Sequence, residues 1–181
     1  MLTISLFQPK IPPNTGNIAR LCGANNVKLD LVGDLGFDMD DKYLKRAGLT
    51  YWNHIKWECF PDLDKYCSKA FKNSFHLLTT KSKNLYTNRV YSENDYIIFG
   101  SETAGISESI LNTYPQNACT IPMANKNIRS LNLATSVGID KIMFFIYVTL
   151  YAGMAIPLFT LNLAYVNDYI PKDKFVSAGG G

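Results

Sequence analysis

Histidine is scarce and the cysteines are scattered, so the first chemistry to drop out is the one built on bound zinc. The chain of 181 residues has two histidines, His54 and His76, and four cysteines, Cys22, Cys59, Cys67 and Cys119. No two cysteines form a C-x2-C pair with histidines at metal spacing, and no metal site is expected. Isolated thiols fit a reducing cytoplasm. The amino terminus, Met1-Leu2-Thr3-Ile4-Ser5-Leu6-Phe7-Gln8-Pro9, has no basic lead and reaches proline too early for a secretory signal. A cytoplasmic location is therefore expected. There is no low-complexity tract and no clear internal repeat, which argues against a disordered chain or a solenoid. An arginine-rich tract is also missing, and eighteen basic against fifteen acidic residues leave a formal charge of +3. That balance permits an anionic partner without requiring one.

Enough residues remain for one substantial core, and a second independent domain is not expected. Short apolar segments alternate with helix-like ones. Thr3 to Phe7 and Lys28 to Val32 read as buried strands, followed by Ile55 to Phe60, Phe75 to Leu78, Tyr96 to Phe99 and Cys119 to Pro122. Between them, Asn14 or Thr15 is expected to cap a helix running through Ala24. Further helices are expected over Asp38 to Ala47, ended by Gly48, over Leu63 to Phe71, and over Ile106 to Leu111. The alternation predicts an α/β fold, a mostly parallel sheet with helices on both faces.

The tail departs from this pattern. From Ile142 through Val166 no side chain is charged, and the run is long enough for a membrane-spanning helix. Pro157 interrupts it, and Asn162 and Asn167 follow. A buried terminal helix or dimer surface is preferred, beside a membrane span or an added extension. Ser177-Ala178-Gly179-Gly180-Gly181 reads as a flexible end. The expected division is a domain over residues 1–141, whose final helix can run further, and an atypical apolar segment over residues 142–181.

Two strand-end loops carry most of the chemistry. Phe99-Gly100-Ser101-Glu102-Thr103-Ala104-Gly105-Ile106 leaves one apolar strand, and Ile121-Pro122-Met123-Ala124-Asn125-Lys126-Asn127-Ile128-Arg129-Ser130-Leu131-Asn132-Leu133 leaves another and opens a helix. Loops rich in Gly, Ser and Asn at such positions suggest one ligand crevice at the carboxyl edge of the sheet.

Six segments together resemble a known family. They are Pro13-Asn14-Thr15-Gly16-Asn17-Ile18-Ala19-Arg20-Leu21-Cys22, Leu35-Gly36-Phe37, Arg46-Ala47-Gly48-Leu49-Thr50-Tyr51-Trp52, Thr79-Thr80-Lys81, Phe99 to Gly105, and Ile121-Pro122-Met123 with Arg129-Ser130-Leu131-Asn132-Leu133. In this order, over about residues 1 to 139, they are similar to the SPOUT methyltransferases, and closely to the small tRNA ribose 2'-O-methyltransferases of the wobble nucleotide. The resemblance implies a deep C-terminal trefoil knot, one of the rare exceptions to unknotted folds. It also implies S-adenosyl-L-methionine bound in that knot, a homodimer, and the tRNA anticodon stem-loop as partner. Methylation of another tRNA or rRNA site, or RNA binding without turnover, stands as the alternative.

By the same resemblance, Leu78, Gly100, Ile121, Met123, Ser130 and Leu131 fall where the family contacts the cofactor. Glu102 is expected to hold loop backbone donors in preference to lying beside the sulfonium charge. Asn132 is expected to brace one loop against another, while Ser130 caps the last helix, contacts the cofactor, or does both. Arg20 is the family's catalytic candidate, and its high reference pKa favours orienting the ribose hydroxyl or a phosphate over acting as base. Asn14 and Asn17 shape the turn before it and reach toward the ribose. Arg129 suits a bidentate hold on phosphate, with Lys126 as a weaker contact. Tyr51 and Trp52 offer either an aromatic surface for RNA or core packing. Two departures stand out: Ser101 replaces the family's usual proline, and the sequence after Gly138 leaves the family pattern.

Overall fold

Mostly apolar runs of four or five residues are too short for stable helices and bury themselves by pairing. The computed structural model describes residues 1–39, 52–125 and 127–139. The helix expected over Asp38 to Ala47, the apolar tail, Tyr51 and Lys126 fall wholly or largely outside these described residues.

Strands β1 (Thr3–Phe7), β2 (Lys28–Val32), β3 (Trp57–Phe60), β4 (Phe75–Leu78), β5 (Tyr96–Phe99) and β6 (Ala118–Cys119) form one sheet in the order β3-β2-β1-β5-β4-β6. Every neighbouring pair is parallel. Helices α1 (Pro12–Ala24), α2 (Leu63–Ala70) and α3 (Glu108–Thr113) connect them, and α4 covers residues 133–139. The β1-α1-β2 crossover moves toward one edge of the sheet, whereas β3-α2-β4 moves back across it. Right-handed connections therefore put α1 and α2 on opposite faces.

One rung crosses all six strands on the α2 side: Glu58, Asp30, Ser5, Ile98, Leu77 and Ala118. Its apolar half joins Ala70, Phe75, Ile106 and Leu111 in the core. Its polar half lies under Tyr66 of α2, whose hydroxyl donates to Asp30 Oδ2 at 2.8 Å and lies 2.7 Å from Ser5 Oγ. Since Tyr66 spends its proton on Asp30, Ser5 is the donor in the second bond. Lys28 Nζ then bridges Asp30 at 2.9 Å and Glu58 at 2.8 Å. Burial raises the Asp30 carboxyl above its usual range, with Lys28 and Tyr66 offsetting part of that cost.

Several boundaries differ from the sequence pattern for local reasons. Strand β3 begins at Trp57, not Ile55, because the Ile55 amide bonds back to Trp52 in a short helical turn. Strand β6 stops at Cys119, not Pro122, because the next residue changes pairing partner. Helix α1 starts at Pro12, with Ile11 at its N-cap and no side-chain cap. Two prolines have no amide to leave unsatisfied there, so neither Asn14 nor Thr15 caps the helix. Asp62 caps α2 by accepting from Lys65 N at 2.9 Å. Helix α3 starts after Ile106, which is only 2% exposed and belongs to the core. In α4 the cap is Asn132, whose Oδ1 accepts from Ala134 N at 2.9 Å and Thr135 N at 3.3 Å; Ser130 is not the cap.

Residues 118–120 are bonded on both sides by one stretch of chain. Cys119 accepts from Thr79 N, just beyond β4, at 2.9 Å. On the opposite flank Thr120 N donates to Asn84 O at 2.8 Å and Thr120 O accepts from Tyr86 N at 3.0 Å. The segment thus lies between the end of β4 and the loop that leaves it.

A buried acid–imidazole pair sits on β4. His76 Nε2 lies 3.0 Å from Asp95 Oδ2, its Nδ1 has no partner, and its ring packs on Tyr91 with centroids 4.6 Å apart. Burial pushes the imidazole pKa below its usual value, with Arg89 adding to the effect and Asp95 opposing it. The folded chain therefore takes up this proton at a lower pH than the unfolded chain, which takes it up near pH 6.5. Stability from this group is complete above that pH and is lost as the pH falls below it, at no more than about 1.4 kcal/mol per unit. Urea unfolding at pH 7 and pH 5.5 is expected to show that loss in the wild type and a smaller one in His76→Gln. An equal loss in both proteins would remove His76 as its source.

Candidate active site

The carboxyl ends of β4, β5 and β6 open into a cavity of about 890 Å³. Its walls are the loops after these strands, the residues leading into α4, and Ile11 and Asn14 from the start of α1. Parallel α/β sheets place ligands at this edge because strand-end loops diverge there.

Gly100 is the first residue beyond β5 and is buried. A Cβ at that position would overlap the backbone of Gly105 and Ile106. The loop doubles back on itself: Gly105 N donates to Ser101 O at 2.9 Å, and Gly105 takes φ +69°. Ser101, 6% exposed, accepts from Ala104 N through its hydroxyl at 3.1 Å. A side-chain hydrogen bond therefore replaces some of the stiffness that a proline would have given this turn.

A chain of hydrogen bonds then ties three loops together. Glu102 Oε2 accepts from Lys10 N at 2.9 Å, and its Oε1 accepts from Asn14 Nδ2 at 3.0 Å. Asn14 Oδ1 accepts from Asn132 Nδ2 at 2.9 Å, while Asn132 Oδ1 caps α4. The amide orientations are forced, because a carboxylate only accepts and a backbone N–H only donates. Because α1 needs no cap from Asn14, that amide is available for this network.

Leu78, Gly100, Glu102, Ile121, Met123, Ser130, Leu131 and Asn132 all line the cavity, together with Asn14 and Arg129. The structure thus brings residues from sequence-distant loops onto one cavity. Asn17 and Arg20 lie on the exposed side of α1 and are not part of the lining. Trp52 packs edge-on against Trp57, centroids 5.0 Å apart, and is also not part of the lining. Sequence reasoning missed Ile11, Lys81 and Ser136 in the lining and the Lys10 amide on Glu102. Lys81, which pairs with Glu108 at 2.9 Å, stood in a recognised segment and could have been found. The Lys10 contact is made by backbone and leaves no side-chain signal.

None of the four cysteines forms a disulfide. Among the described residues no three His, Cys, Asp or Glu side chains cluster to hold a metal, and no helix is long and apolar enough to cross a membrane.

The sequence profile of the SpoU rRNA Methylase family matches residues 1–140. The chain belongs to the SpoU methylase family. One SpoU relative, the tRNA (cytidine(34)-2'-O)-methyltransferase of Yersinia pestis, is 42% identical over 146 residues, covering 77% of this chain and 89% of the relative. A solved structure presented as structural insights into the 2-OH methylation of C/U34 on tRNA superposes with a TM-score of 0.77. It is 32% identical, over 82% of this chain and 97% of that one. An AdoMet-bound rRNA methyltransferase from Sinorhizobium meliloti superposes with a TM-score of 0.70 at 22% identity, over 78% of this chain and 54% of that one. That last likeness is one of fold. The parallel sheet of this SpoU chain is the SPOUT methyltransferase architecture.

Proposed function

We propose that this chain is a tRNA (cytidine/uridine-34-2'-O)-methyltransferase, which transfers a methyl group from S-adenosylmethionine to the ribose of the wobble nucleotide. One observation carries the assignment. In a SpoU chain similar to enzymes named for nucleotide 34, Gly100, Glu102, Asn132 and Asn14 converge on one cavity at the carboxyl edge of the sheet.

The residues present fit the methyl donor. About 890 Å³ lies within the usual range of small-molecule sites. Gly100 exposes backbone on one wall, and Leu78, Ile121 and Leu131 offer apolar surface for an adenine ring. Both Glu102 oxygens are engaged by Lys10 and Asn14. Bound there, S-adenosylmethionine supplies an already activated methyl group. What remains for the protein is to orient the ribose oxygen and stabilise its developing negative charge.

We assign that second task to Arg20, with Asn17 beside it on α1, and assign phosphate contact to Arg129 and Lys126. Arg20 lies on the exposed side of α1, and we infer an RNA footprint shared by two copies in a homodimer. The bonding of residues 118–120 on both flanks supports a threaded, knotted terminus. The tRNA substrate supports a cytoplasmic location, and a domain over residues 1–141 followed by a separate apolar segment fits the extent of the family match.

The decisive experiment is transfer of a labelled methyl group from S-adenosylmethionine to a tRNA pool, followed by nuclease digestion and mass spectrometry. The expected product is 2'-O-methylcytidine or 2'-O-methyluridine at position 34. Label elsewhere would move the target, and donor binding without transfer would make the chain a non-catalytic relative.

A further inference from the structure

Strand β6 sits at the edge of the sheet, where backbone groups are ordinarily left open. Here the outer edge is occupied by the loop that follows β4. The Ala118 carbonyl receives three side-chain donors: Arg89 Nη2 at 2.7 Å, Ser82 Oγ at 2.9 Å and Asn84 Nδ2 at 3.4 Å. Thr120, the next residue to face that way, is bonded to Asn84 O and Tyr86 N. Ser82 and Asn84 come from the near part of the loop, and Arg89 reaches the same carbonyl from the far part. Of the three, Arg89 makes the shortest bond and brings a full charge, which strengthens a hydrogen bond roughly twofold. Its side chain is half-buried, and Nε is left without a hydrogen-bond partner. Arg89 is not in the cavity lining, but the chain it holds is: Thr120, Ile121 and Met123 form one wall.

We propose that Arg89 is a positioning residue for the methyl-donor site, a clamp that fixes residues 118–120 so that Ile121 and Met123 are held in the cavity wall. This rests on the assignment of the cavity to S-adenosylmethionine. Without the clamp, Ala118 keeps only its two neutral donors, both from the near part of the loop. The strand can then shift against the loop, and the cost falls on donor binding more than on the transfer step.

The full-length chain tests this with Arg89→Ala and Arg89→Lys. Calorimetry with S-adenosylmethionine is expected to show binding about tenfold weaker in Arg89→Ala, and kcat at saturating donor to fall only about twofold. Arg89→Lys, which keeps a donor and a charge, should recover most of the affinity. In the donor-free protein, Arg89→Ala should speed amide exchange at Thr120 and Tyr86 while Leu29 and Ile97 stay protected. Donor affinity in Arg89→Ala within about twofold of wild type overturns the proposal, as does loss of protection spread through Leu29 and Ile97. If the wild type binds no donor, the cavity assignment fails on its own. The clamp is then judged by exchange, and unchanged protection at Thr120 in Arg89→Ala refutes it.

Discussion

Replacing Gly100 with alanine is expected to weaken S-adenosylmethionine binding by at least about 100-fold, the largest change any single methyl group should cause in this chain. The added carbon has nowhere to go. It would coincide with the backbone of Gly105 and Ile106, and backbone cannot step aside as the end of a flexible side chain can. To admit it, the turn closed by Gly105 N on Ser101 O would have to open, carrying Glu102 away from Lys10 and Asn14. The cavity would lose its shape on one side and its three-loop tie on the other. Gly105→Ala provides the contrast: a Cβ there meets nothing within 4 Å, and only the φ of +69° opposes it. That strain, about 1 to 3 kcal/mol, lowers the stability of the fold, and donor affinity should change far less. Calorimetry on both variants, with urea unfolding to confirm an intact sheet, separates the two. Near-normal donor binding in Gly100→Ala would place the methyl donor elsewhere.

The sequence exposed the central strands because each is a short, mostly apolar run of four or five residues, and burial on both faces leaves such a run little choice. It also exposed the loops that meet at the cavity, since Gly100 stands directly after one strand signal and Ser130 and Asn132 lie in the polar loop that follows another. What it could not show was decided by contacts between distant segments. Strand β6 ends early because Thr120 exchanges β4 for residues 84–86 as partner, and nothing local to Thr120 announces that. Ser130 and Asn132 are equally good caps by residue type, and the start of α4 at residue 133 selects Asn132. Two prolines at the start of α1 removed the need for the cap expected of Asn14 or Thr15. The Lys10 amide and the Arg89 clamp have no pattern of their own, one being backbone and the other a cation that ends on a carbonyl.

Arg20→Ala is expected to lower methyl transfer about 100- to 1,000-fold, the range found when a group that stabilises developing oxyanion charge is removed, while donor affinity stays within about twofold of wild type. The separation of effects follows from position. Arg20 is not part of the cavity lining and sits on α1 about 9 Å along the axis from Asn14, at 1.5 Å per residue. The helix is fixed at its first turn, where Asn14 bonds both Glu102 and Asn132, so Arg20 projects from a rigid element and not from a loop. A ribose hydroxyl attacks only as its proton leaves, and a fixed guanidinium lowers the energy of the oxyanion that forms. Arg20→Lys tests which property matters. A point charge alone should restore part of the rate, whereas a forked hold on hydroxyl and phosphate together should not be recovered by an ammonium group. Turnover in Arg20→Ala within about threefold of wild type would reduce Arg20 to a surface cation and leave the developing charge to Arg129 in the cavity lining.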